Sequence, residues 1–270
     1  MRHGAFAAAA AVAAVVGACR AIPAPTNGVL SVSEVQLPSP SVVVNDTMRD
    51  STGSAAPLRV FAFGVGGPAD TLTNVTVQFV VFDRGAHVTP DGYLIGDSVR
   101  SSPVRIIGSV GTLQTSTVSV PVVPVPDSLG PAGPTTLAPD TFSFAKPQSY
   151  FTSALSARVL SADAPPVAVP SFVVRWTIVS QPHGANGAAT GVLVSANNQP
   201  ATADTTDATG SVSLRVHLDP VALDSLAAPD SFVVQAHVEY RGVPLRGSPL
   251  QFVVPIVPSP KAPGARTGNP

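Results

Sequence analysis

Apolar and polar residues alternate along much of this chain with a period of two, the repeat of a strand with one buried and one wet face. The pattern is cleanest in the second half. Between Ser211 and Leu218, Val212, Leu214, Val216 and Leu218 point one way, and Ser211, Ser213, Arg215 and His217 the other. Between Ser231 and Tyr240, Phe232, Val234, Ala236, Val238 and Tyr240 oppose Ser231, Val233, Gln235, His237 and Glu239. Further strands are predicted at 172–179, 191–194 and 250–254, and in the first half at 30–37, 42–44, 58–63, 75–82, 104–107 and 117–120. Turn clusters such as Gly66-Gly67-Pro68-Ala69-Asp70 and Pro90-Asp91-Gly92 separate them. Short strands in series between such turns predict an all-β chain of antiparallel sandwiches.

The rhythm stops at residues 126–140, PDSLGPAGPTTLAPD, which carry four prolines and two glycines. Such a stretch suits a linker, leaving one domain at 30–125 and a second at 141–257. Residues 258–270, PSPKAPGARTGNP, have no apolar period and are expected to form a loose tail. A faint internal repeat relates the halves. Leu58 and Leu155 are 97 residues apart, as are Phe79 and Trp176; the closing segments Val120-Pro121-Val122-Val123-Pro124 and Val254-Pro255-Ile256-Val257-Pro258 are 134 apart. Two related sandwiches with different loops are therefore expected.

Composition narrows the class. Charged residues are 11% of the 270, net charge is −1, and no basic run exists, so nucleic acid has no electrostatic footprint here. Glutamate and methionine number two each, against long helices. Apolar residues reach 44%, which excludes a wholly disordered chain.

The N-terminus carries a different signal. Met1-Arg2-His3 is followed by an Ala/Val run from Ala5 to Val16 and then by Val16-Gly17-Ala18-Cys19. A basic start, an apolar run and small residues before a cut form a helical secretory signal peptide, residues 1–18. The run is shorter than the roughly 20 residues of a membrane-spanning helix. Val16-x-Ala18 would also suit a general signal peptidase, but the mature chain would then open on a lone thiol in an oxidising compartment. Val16-Gly17-Ala18-Cys19 resembles the lipobox of bacterial lipoproteins. That resemblance implies acylation of Cys19, the one cysteine of the chain, attachment to a bacterial cell envelope and, with Arg20 rather than Asp after the cysteine, the outer membrane. Residues 19–29 then form anchor and tether.

Residues 172–254 resemble bacterial immunoglobulin-like domains of the invasin and intimin type. The matching residues are Val174 and Trp176, the glycine-rich segment 184–191, Thr206-Asp207-Ala208-Thr209-Gly210 before an alternating strand, and Val234-Gln235-Ala236-His237-Val238. The first half lacks the T-D-x-x-G signature and has Phe79 in place of Trp176. The resemblance implies two immunoglobulin-like sandwiches in tandem, used as spacer, stalk or adhesive module.

Catalytic constellations are thin. There is no G-x-S-x-G elbow, phosphate loop or H-E-x-x-H. His217 and His237 would form a metal pair only if their strands were neighbours; a solvated face accounts for both more cheaply. His87 and His183 fall in turns. Asp91 and Asp97 flank a loop without the ligand rhythm of an EF-hand, and Asp204 and Asp207 suit a turn. Asn45-Asp46-Thr47 and Asn74-Val75-Thr76 match glycosylation sequons, with little meaning beside a bacterial anchor. No catalytic residue, metal site or cofactor is assigned. A carbohydrate-binding module is the alternative function; it needs exposed aromatics, for which Tyr150 and Phe151 are the candidates, with Tyr240 a further one and Trp176 assigned to the core. Beyond the membrane, any protein or glycan partner is unspecified.

Overall fold

The computed structural model describes residues 28–73, 75–138, 140–142, 151–183, 189–219 and 230–258. Two β-sandwiches follow one another along the chain. The first holds β1 (Ser31–Val32), β2 (Val42–Val43), β3 (Ala62–Phe63), β4 (Thr71–Leu72), β5 (Gln78–Val81), β6 (Ala86–Val88), β7 (Leu94–Gly96), β8 (Val104–Val110), β9 (Leu113–Gln114), β10 (Val118–Val120) and β11 (Val122–Val123). The second holds β12 (Pro126–Pro131), β13 (Asp140–Phe142), β14 (Leu155–Ser161), β15 (Val173–Ser180), β16 (Gly191–Val194), β17 (Ala203–Thr205), β18 (Ser211–Leu218), β19 (Asp230–His237), β20 (Glu239–Tyr240), β21 (Val243–Pro244) and β22 (Leu250–Pro258).

In the second sandwich one sheet runs β12-β14-β18-β16 and the other β13-β22-β19-β15-β17. Taken in chain order these are the A-B-E-D and G-F-C sheets of an immunoglobulin constant-type domain, with β17 added at the edge and β13 as a second half of strand A. β12 pairs antiparallel with β14, and β13 then crosses to pair parallel with β22. The first sandwich repeats the device with shorter strands. β1 pairs antiparallel with β3, β2 pairs parallel with β11, and β5-β8-β10 form the C-F-G ladder. The 97-residue offset places Phe79 on β5 and Trp176 on β15.

The period-two pattern is realised as burial. On β18, Val212, Leu214, Val216 and Leu218 are buried while Arg215 is exposed; on β19, Phe232, Val234 and Ala236 are buried. Trp176 and Phe252 meet between the sheets with ring centroids 5.6 Å apart. Each such side chain contributes ~1.5–3 kcal/mol by leaving water, and the tilted aromatic pair adds ~1 kcal/mol. The first core is smaller and gathers Val42, Met48, Leu94, Ile106, Val120 and their neighbours.

Residues 126–140 are not a linker. Pro126–Pro131 form β12, an edge strand, and Leu129 and Leu137 are buried in the second core. Leu137 N–H donates to Val253 O, and Val253 N–H to Thr135 O, so the segment is stitched to β22 as well. An edge strand has one side free of ladder bonds, which is where prolines are tolerated; a register shift between Pro126 and Ser128 absorbs the irregularity.

The first half also contains the turn expected only in the second. Asp50-Ser51-Thr52-Gly53-Ser54 and Asp207-Ala208-Thr209-Gly210-Ser211 share the pattern D-x-T-G-S and the same bonds. Asp50 Oδ1 accepts from Thr52 N (2.8 Å), Thr52 Oγ1 (2.6 Å) and Ser54 N (3.1 Å). Asp207 Oδ1 accepts from Thr209 N (2.8 Å), Thr209 Oγ1 (2.7 Å) and Ser211 N (3.0 Å). Hydrogen bonds to the ionised form, led in each case by the threonine hydroxyl, hold both carboxyls below the ordinary aspartate range. Gly53 and Gly210 take φ of +83° and +74°, open to glycine without strain.

Candidate functional site

Only Pro124 and Val125 separate β11 from β12, and Pro124 is buried. With so little slack the two sandwiches meet end to end. Val43 and Val123, from paired strands of the first, are part of the second core. Around this apolar seam sits a polar clamp.

Its centre is Asp46, 6% exposed, in the turn after β2. The turn presents it because Asn45 takes φ +57°. From the same sandwich, Thr47 N donates to Oδ1 (2.9 Å), Arg49 Nε to Oδ2 (2.8 Å) and Arg49 Nη2 to Oδ1 (2.9 Å). From the second sandwich, Tyr240 O–H donates to Oδ2 (2.7 Å) and Arg241 Nε to Oδ2 (3.1 Å), while Arg241 Nη2 lies 2.9 Å from Oδ1. Two guanidiniums thus grip one carboxylate, each with two nitrogens, a strong and directional arrangement. Burial alone would raise the Asp46 carboxyl, but hydrogen bonds from Arg49, Arg241, Tyr240 and Thr47 outweigh it and hold the group well below the carboxylate range. Burial, and then donation to Asp46, push the Tyr240 phenol up to about 12.

Arg241 and Gly242 form the two-residue tip of the β20–β21 hairpin, at φ +55° and +72°. Positive φ at both central positions is the type I′ hairpin, which prefers Asn-Gly or Gly-Gly. Arginine there is strained by about 1–2 kcal/mol. It is held by Asp46 and by its own stacking over the Tyr240 ring, 5.3 Å from the centroid. The D-x-T-G-S turn of the first sandwich fits against this tip: a Cβ on Gly53 would lie 2.6 Å from Gly242 N. Arg175 Nη2 donates to Ser51 O (2.8 Å) and Ser41 Oγ to Ser171 O (2.8 Å). Among the described residues four non-glycines have positive φ, and three of them, Asn45, Ser171 and Arg241, lie at this junction. Strain concentrated at one place marks where the surroundings over-determine the backbone.

Of the residues singled out in the sequence, Tyr240 and the Asn45-Asp46-Thr47 sequon lie at this junction, and the others do not join it. Cys19 and Tyr150 fall outside the described residues. Phe151 stacks on His217, ring centroids 4.7 Å apart. Tyr240 is engaged with Asp46 rather than presented to a ligand, and Trp176 is 1% exposed. His217 on β18 and His237 on β19 belong to different sheets and do not pair across neighbouring strands; His237 Nε2 lies 2.8 Å from Glu239 Oε1 instead. His87 Nδ1 lies 2.8 Å from Asp97 Oδ1 across the β6–β7 hairpin.

No family model matches the chain, and no curated protein matches it. Among solved structures it is similar to the Yersinia pseudotuberculosis adhesin InvE, at 16% identity and TM-score 0.32, over 86% of this chain and 61% of that one. The match therefore spans less than two thirds of the adhesin structure. It is also similar to the D0-D1 domain of intimin (14% identity, TM-score 0.28, 85% of this chain and 98% of that). A third likeness is to domains 4-9 of the surface layer protein SbsC (13% identity, TM-score 0.27, 86% and 31%). What sets the immunoglobulin-like fold of this chain is its own strand order.

Proposed function

We propose that this chain is a non-enzymatic, lipid-anchored protein of a bacterial cell envelope, and that its two immunoglobulin-like sandwiches act as a stiff spacer carrying an adhesive or protein-binding surface away from the membrane. The observation that supports it most is the Asp46 clamp. Domains in one chain ordinarily move relative to each other unless their interface resists it. Here a buried carboxylate receives donors from both sandwiches, the connection is two residues long, and local strain is tolerated to keep it so. A spacer needs that stiffness.

The anchor rests on Cys19 and the signal before it. A single acyl chain gives marginal binding, at ~0.8 kcal/mol per buried methylene, and two or more make it durable. Arg20 favours the outer membrane. Two measurements test the proposal. Cys19→Ser should move the protein from the membrane fraction to the soluble extract, and continued sedimentation with membranes would show that lipid is not the anchor. Small-angle X-ray scattering of the soluble variant should fit one rigid elongated body, whereas a profile that requires many interdomain angles would refute the spacer.

A further inference from the structure

The end of the first sandwich farthest from the clamp has a composition unlike the rest of the surface. β1 begins there, β3 ends, β4 and β5 begin, and β8 turns into β9, as the antiparallel registers require. The described residues at this end are 28–30, 64–70, 73, 75–77 and 110–113. Among them are no Lys, Arg or Glu and a single acid, Asp70, whose carboxylate lies against Gly64. Val65, at the head of the 64–70 turn, is 89% exposed, and Leu30, whose N–H donates to Phe63 O just before that turn, is 54% exposed. The opposite end carries Asp46, Arg49, Asp50 and Arg100.

This end, with one acid and no base among its described residues, is also where the chain enters the fold. Eight residues lie between Cys19 and Gly28, nine steps that at ~3.3–3.6 Å each reach no more than roughly 32 Å. If Cys19 is acylated, as the proposed function holds and as this inference requires, this end is kept within that distance of the bilayer. An exposed valine and leucine gain the transfer of their side chains by entering the interfacial region, and the one charge near them, the exposed Asp70 at the far end of the turn, limits how deep the tip can go.

We infer that Leu30 and the 64–70 turn form a membrane-contacting tip, which enters the interface of a lipid bilayer and sets the tilt of the rod. The occupant is the lipid surface itself, without choice of head group: a tip with no basic residue has no means of preferring anionic lipid.

The test uses the acylated full chain in phosphatidylcholine vesicles with brominated acyl chains. Val65→Trp places a reporter on the tip and Val192→Trp one on β16 of the second sandwich, where Val192 is 47% exposed; the native Trp176 is a constant buried background. The tip tryptophan should be quenched roughly twofold and the β16 tryptophan left bright, with no change when anionic lipid is added. Because tryptophan favours interfaces, Ala69→Trp is compared with and without Val65→Asp; the aspartate should abolish its quenching. Protein that co-floats with vesicles and carries acyl chains by mass spectrometry, yet keeps its tip tryptophan bright, overturns the tip and leaves the anchor standing. Quenching of Ala69→Trp that persists with Val65→Asp also overturns it. A Cys19 without acyl chains overturns both.

Discussion

Replacing Asp46 by alanine tests the clamp directly. The substitution removes the acceptor of bonds from Thr47, Arg49, Tyr240 and Arg241 and leaves two guanidiniums facing each other. Removing one member of a buried charge pair costs ~3–5 kcal/mol, mostly through the charge left behind. Here Arg49 is 26% and Arg241 51% exposed at the side chain, so both regain water, and the lower end, about 3 kcal/mol, is expected. Arg241→Gly with Tyr240→Phe separates stability from stiffness. It takes two donors from the buried Asp46, the Arg241 guanidinium and the Tyr240 hydroxyl, at ~1.5–3 kcal/mol for a hydrogen bond to a charged group, and recovers ~1–2 kcal/mol of left-handed strain. Arg49 and Thr47 still hold the carboxylate, so the loss of stability should be smaller than for Asp46→Ala while the cross-domain grip is gone. Urea unfolding followed by Trp176 fluorescence gives the first quantity, and small-angle scattering the second. Asp46→Ala should lower stability and broaden the interdomain angle; the double variant should broaden it as much at a smaller loss of stability. If Asp46→Ala unfolds within about 0.5 kcal/mol of the parent and scatters identically, the clamp carries no load.

Leu129→Ala should cost ~2–4 kcal/mol in urea unfolding, because it opens a cavity beneath β12; a neutral result would return residues 126–140 to the role of linker. Gly210→Ala forces a Cβ to 2.7 Å from Val159 O at positive φ and should destabilise the second sandwich. Gly53→Ala makes its clash across the junction, at Gly242 N, and should change the scattering profile more than the unfolding midpoint. The Tyr240 phenol is raised from 10.0 to about 12, so the unfolded chain releases that proton first. The stability this lends is whole below pH 10 and drains away as pH rises through 12. Ultraviolet titration of phenolate should show one of the three tyrosines ionising near pH 12. Asp46 has the opposite sign. Its contribution is present above 3.8 and is lost only as pH falls below that toward its depressed value, so the clamp should hold at mildly acidic pH.

How much was legible depended on distance along the chain. β18 could be read to the residue and β19 to within one at its start, because side-chain direction alternates locally and burial follows direction; the alternation carried the reading past His237 into β20, a separate strand. β12 was hidden by its prolines, which signal a linker until an edge position is known to excuse them. The Asp50 turn is hidden from the T-D-x-x-G signature because Arg49, drawn to Asp46, stands where Thr206 stands in the second half; the signal the two turns share is D-x-T-G-S, at residues 50–54 and 207–211. Asp46 itself looked like part of a sequon, and nothing near it names its use.

By itself the amino-acid order determined a strand-built chain of two like halves, since pleat and turn chemistry are properties of short segments. Only the tertiary structure decided that the halves lock together. Tyr240 and Arg241 lie 194 and 195 residues from Asp46, and a bond across that separation exists only after both sandwiches have formed and brought a strained arginine to a buried carboxylate.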